Sequence, residues 1–149
     1  MKKRIASLLC AFVLILSLPA VACAAESAPR ASDYFSATDV RAYAESGCNI
    51  LIEIDVSATH LMQKVGASNV YIYEKQSDGS YDNVYTYTMD DYPSLIWTNS
   101  ACAYVDVNYT GTAGKSYHAI VACYAKDSNG AETRYYTTNE VTAAYFVFD

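Results

Sequence analysis

The chain has 149 residues, 16 of them acidic and 10 basic, for a formal net charge of −6, and it carries 15 tyrosines. That length suits one domain with its own core. The acidic balance excludes nucleic acid, which needs a basic footprint, and adhesion to anionic lipid by charge alone.

In chain order, Lys2-Lys3-Arg4 precedes an apolar run from Leu8 to Leu16, then Pro19 and the small residues Val21-Ala22-Cys23-Ala24-Ala25. A charged start, an apolar centre and a small-residue end predict a signal peptide over 1–25, cut after Ala24 or Ala25. The run is too short to span a bilayer, and no second one follows, so the mature chain is expected to have no transmembrane segment. The expected location is therefore secreted, extracellular. Cleavage removes three positive charges from the net −6, leaving −9 on the mature chain. Ala20-Val21-Ala22-Cys23 loosely resembles a bacterial lipobox, with Ala20 where Leu is usual. This leaves a second reading open, an envelope lipoprotein anchored through Cys23.

Residues 26–33 are small and polar and read as a flexible lead-in to a domain over 34–149. From Tyr34 onward the chain is rich in Tyr, Val, Ile and Thr, which suit a pleated, half-buried surface. Ser57 to Val65 is the nearest candidate for a helical turn. Ile50, Ile52, Ile54 and Val56 alternate with polar residues, as do Ala103, Val105 and Val107, a period of two with one face buried. Ser77-Asp78-Gly79-Ser80 and Ser128-Asn129-Gly130 read as hairpin turns at opposite ends of the fold. Seven strands are expected, at about 34–44, 48–58, 69–76, 81–89, 101–110, 116–126 and 132–148, the last with a break or bulge. The fold class is all-β, a single seven-stranded antiparallel β-sandwich.

Gly114-Lys115-Ser116-Tyr117-His118-Ala119-Ile120-Val121-Ala122-Cys123 resembles the sixth strand of a fibronectin type III domain, within the immunoglobulin-like sandwiches. The resemblance implies that Tyr117 is a structural tyrosine corner, its hydroxyl bonded to backbone near Thr110–Ala113. That family's second strand usually carries a Trp; here it has Ile52 and Ile54, and Trp97 lies elsewhere. Across the whole chain, Gly66–Glu74, Gly111–Tyr117 and Tyr136–Asn139 are similar to a family of small secreted proteins of Gram-positive anaerobes. That similarity implies export and a sandwich, and no activity.

Cys48, Cys102 and Cys123 lie beyond the signal peptide, an odd number that argues against a disulfide scaffold. Three free thiols are expected, with Cys102–Cys123 the one pairing the topology permits. His60 and His118 are the only histidines, without metal-ligand spacing, so no metal and no cofactor is expected. No G-x-S-x-G motif is present, and no catalytic residue is assigned. The candidate binding residues are Tyr71, Tyr73 and Tyr124, pointing outward from one sheet, joined by Tyr85 and Tyr87 from the fourth strand. Flat rings with rim hydroxyls suit a glycan or a protein partner at a cell surface. The expected protein is an exported, monomeric, non-catalytic interaction module. The competing expectation is a small secreted hydrolase using loop residues around His60, Asp90 and Asp91.

Overall fold

The structure is a computed structural model that describes residues 32–146. The signal peptide, Cys23, most of the lead-in and the last three residues lie outside the described residues. Among the described residues there are seven strands, two short 3-10 turns at 46–48 and 93–95, and no α-helix. None of their helices is long and apolar enough to cross a membrane.

One strand organises the rest. β2 runs from Asn49 to Lys75 without interruption. Over its first part it lies between β1 (Phe35–Glu45) and β4 (Ile96–Thr110), both antiparallel to it. Over its second part it lies between β3 (Tyr81–Thr88) and β5 (Ser116–Lys126). β6 (Ala131–Thr137) then extends β5, and the short β7 (Val141–Thr142) pairs with the first residues of β5. All the pairings are antiparallel, and the sheet folds over on itself as a β-sandwich. Ile50, Ile52, Ile54, Val56, Val105 and Val107 face inward from one layer, and Val70, Ile72, Ala119, Val121 and Cys123 from the other. Each such Val or Ile contributes about 1.5–3 kcal/mol by leaving water.

The expected second and third strands are thus two halves of one. The expected helical turn at 57–65 is strand instead, because pairing on both sides satisfies its backbone. The register with β4 shifts between Ser57 and Met62, and that with β5 between Ala67 and Asn69, where the strand passes from one layer to the other. Gly66 sits in this passage at φ +146°, and a Cβ there would fall 2.1 Å from the Leu95 carbonyl oxygen. Only glycine fits.

Side chains close the ends and edges. The Tyr117 hydroxyl accepts the Thr112 N–H at 2.9 Å and donates to Glu74 Oε2 at 2.7 Å. Gly111 leaves room for this ring, since a Cβ there would lie 2.7 Å from it. Ser32 is held by Glu132 at 2.7 Å and accepts the Phe35 N–H, while the Asp33 carbonyl accepts the Thr59 hydroxyl at 2.7 Å. The last two residues of the expected lead-in are therefore tied to the domain. Asn139 crosses to the outer edge of β1, where its amide accepts the Ala42 N–H at 3.0 Å and donates to the Ala42 carbonyl at 2.8 Å. Cys48, Cys102 and Cys123 are unpaired. Burial pushes the Cys123 thiol up to about 12, so it is an inert packing residue.

Candidate functional site

The outer face of the second layer is built by alternation along β2, β3, β5 and β6. Tyr73 lies opposite His118, Tyr71 opposite Ile120, and Gly66 opposite Tyr124. On the far side of β2, Lys75 lies opposite Tyr81 across the 76–80 hairpin turn. The rings of Tyr73 and His118 stack at 5.3 Å and 10°, and Tyr81 meets His118 edge-on at 4.4 Å. Lys75 Nζ lies 5.7 Å over the Tyr81 ring and 3.1 Å from Glu140, which also accepts the Tyr81 hydroxyl. The Tyr81 hydroxyl, and then Lys75, hold the Glu140 carboxyl below its usual range. Burial between the rings lowers the His118 pKa, with Glu140 opposing. The cluster is an aromatic platform whose rim carries an ammonium, a carboxylate and an imidazole. Tyr135, opposite Ala122, adds a 67% exposed ring to the same face.

Of the five expected tyrosines, Tyr71, Tyr73 and Tyr124 share this face. Tyr85 and Tyr87 do not. The register between β2 and β3 slips at Val84: Tyr73 pairs with Asn83, but Ile72 pairs with Tyr85. The extra residue reverses the parity of β3, so Tyr85 and Tyr87 turn to the inner side with Ile72 and Val70. There they join a seam with Tyr92, Tyr109 and Tyr117, in which neighbouring ring centroids are 4.6–6.3 Å apart. The Tyr87 hydroxyl donates to the Asn108 carbonyl at 2.8 Å, and burial pushes its pKa up to about 12. These two rings are a structural closure between the layers. Tyr81, Tyr135 and His118 are the members that sequence reasoning missed as binding residues. Tyr81 was accessible to it, because the turn at 77–80 places Lys75 and Tyr81 opposite each other.

The loop residues separate. Asp91 accepts the Thr88 hydroxyl at 2.7 Å and stabilises its own turn. His60 instead pairs with Asp127, Nε2 to Oδ2 at 3.1 Å, while its Nδ1 lies 2.9 Å from the Thr59 hydroxyl. Asp127 also accepts the backbone N–H groups of Asn129 and Gly130 at 2.7 and 2.9 Å. These bonds, the Asn129 N–H first, hold its carboxyl at about 2. The hydroxyl–imidazole–carboxylate line joins the β5–β6 turn to β2, and the Thr59 hydroxyl also donates to the Asp33 carbonyl.

The outer face of the first layer has a different chemistry. Asp39 lies opposite Asp55, which lies opposite Tyr104; Arg41 lies opposite Glu53, which lies opposite Asp106. These six residues line a shallow concavity of about 280 Å³. Arg41 reaches Asp39 at 2.7 Å.

No protein-family model matches the chain, and no curated protein matches it. Among solved structures, the solution structure of a candidate late embryogenesis abundant (LEA) protein is similar over 73% of this chain and 72% of that one, at 10% identity and a TM-score of 0.44. A likeness at that level carries no argument about this chain.

Proposed function

We propose that this protein is an exported, non-catalytic β-sandwich module that binds a glycan or protein partner outside the cell through the aromatic face centred on Tyr73, Tyr81 and His118. The observation that carries the reading is the stack of Tyr73 on His118, with Tyr81 edge-on, on a solvent-facing sheet that also holds Tyr71, Tyr124 and Tyr135. Ring faces bind the apolar faces of sugars or aliphatic side chains, and the surrounding polar groups fix orientation. The cluster lies near the start of β5, whereas the chain enters at Ser32 beside Glu132, near the end of β5. Seven residues of strand separate His118 from Ala125, the partner of Glu132, on the order of 23 Å.

The pairing of β2 with β1 and β4, and then with β3 and β5, supports a fibronectin type III-like frame. The charged start, apolar centre and small-residue end over 1–25 support export, and the acidic balance supports a soluble, monomeric protein with no nucleic-acid partner. Cleavage after Ala24 or Ala25 is favoured over lipidation of Cys23, and the intact mass of the native protein from supernatant and membrane fractions decides between them.

The binding test compares wild type with Tyr73→Ser and Tyr71→Ser on immobilised polysaccharides and on intact cells, with thermal unfolding measured in parallel. Retention that falls at least tenfold in Tyr73→Ser while the protein stays folded supports the site. Lower stability with unchanged retention assigns the rings to the sheet alone.

A further inference from the structure

We propose that Tyr85 and Tyr92 form an oxidative cross-linking site, at which a peroxide-driven one-electron oxidant joins the two rings into a dityrosine. Neither ring belongs to the face of Tyr73 and His118. The two hydroxyl oxygens are 2.7 Å apart, and the side chains are 40% and 36% exposed. Both are reachable by an oxidant in solvent, yet each is held from behind by Tyr87, whose ring centroid lies 4.6 Å from that of Tyr85 and 4.9 Å from that of Tyr92.

The backbone between them is fixed. The Tyr92 N–H donates to the Thr88 carbonyl at 2.8 Å, the Asp91 N–H donates to the Thr88 hydroxyl at 3.2 Å, and the Leu95 N–H donates to the Tyr92 carbonyl at 3.0 Å. Leu95 is buried and anchors the turn to the core. Two phenols with touching hydroxyls on such a turn collide far more often than phenols on separate molecules.

The chemistry balances within the pair and its oxidant. Each tyrosine loses one electron and its hydroxyl proton, giving a phenoxyl radical with spin on the ring carbons beside the oxygen. The two radicals couple through one such carbon each. The hydrogens on those carbons leave as protons, and both oxygens are reprotonated as the rings regain aromaticity. Two hydrogens are lost in all, and one hydrogen peroxide, working through a heme peroxidase, becomes two waters. The pair is also the solvent end of a run of rings. Tyr109 lies 6.3 Å from Tyr85, and the buried Tyr117 lies 5.6 Å from Tyr109. A hole formed on an inner ring therefore has a path outward to this pair.

The test treats dilute protein with a heme peroxidase and hydrogen peroxide. The expected product is monomeric, shows dityrosine fluorescence, and has lost two hydrogens. Trypsin leaves 76–115 as one peptide, because no Lys or Arg lies between Lys75 and Lys115. Its fragment spectrum should lack backbone cleavages between 85 and 92. Tyr85→Phe and Tyr92→Phe keep the rings for folding and should each lower the monomer fluorescence at least tenfold, whereas Tyr135→Phe should leave it unchanged. The proposal is overturned if dityrosine is absent, appears only in covalent dimers that grow with concentration, or persists in the monomer of both Phe variants.

Discussion

The two outer faces of this sandwich are made by the same alternation and do opposite things. The face of β1, β2 and β4 sets carboxylate opposite carboxylate, Asp39 against Asp55 and Glu53 against Asp106, with Arg41 as the cation among them. Like charges directly opposite destabilise a sheet. The face of β2, β3, β5 and β6 sets ring against ring, Tyr73 on His118 and Tyr81 beside them. Such pairs stabilise a sheet, and they also leave flat apolar area in water. The first face loses stability to repulsion, and the second gains stability while leaving ring area exposed. A domain with two exposed apolar faces would stack on itself; one charged face limits contact to a single side.

The largest effect lies beneath both faces. Ile52→Ala and Ile72→Ala each remove a fully buried side chain, one from each layer, and each should cost about 2–5 kcal/mol in urea unfolding. A loss under one layer alone would break the symmetry of the comparison, since it would make one sheet the core and the other a cover. Next, Tyr117→Phe strands the Thr112 N–H and removes a donor from Glu74, at about 1–3 kcal/mol by the same measurement.

Tyr73→Ser removes one ring of the stack and should cost about 0.5–1.5 kcal/mol. On the opposite face, Asp55→Asn should raise stability by roughly 0.2–1 kcal/mol, and that gain should shrink in concentrated salt as screening removes the repulsion. A gain that survives high salt would show that the acidic face is not strained by its charge.

The last effect is read along the pH axis, at Asp127. Its carboxyl is held at about 2, below the usual 3.8, so its contribution is present above the usual value and is lost as pH falls through about 2. Asp127→Asn should flatten the acid limb of a stability–pH curve over that window. An unchanged limb would place the acid sensitivity on the other carboxylates.

These faces were unequally legible in the sequence. The runs Ile50–Val56 and Ala103–Val107 keep strict parity, so the acidic face and the core beneath it follow from period two alone. The aromatic face depends on register, and register depends on bulges that leave no mark in composition. Val84 is an ordinary strand residue in the sequence, yet it reverses Tyr85 and Tyr87. The passage of β2 between layers is hidden for a related reason. Around Thr59, His60 and Leu61 the strand is exposed, then Met62, Val65 and Ala67 are buried in close succession, so neither period fits. β4 starts at Ile96 rather than near 101 because the pairing of Trp97 and Thr98 with β2 is non-local. His60 found its partner 67 residues away, which spacing cannot show.

Asn139 has a consequence for assembly that reaches past this single molecule. An outer strand offers its free N–H and C=O groups to any extended chain, and in a crowded medium that is how sheets recruit strangers and grow into fibres. By laying a peptide-shaped amide on Ala42, Asn139 occupies one rung of the β1 ladder from within its own chain. It acts as a gatekeeper at the seam between layers, and Asn139→Ala would open a docking rung for a neighbour's strand while leaving the hydrophobic core untouched.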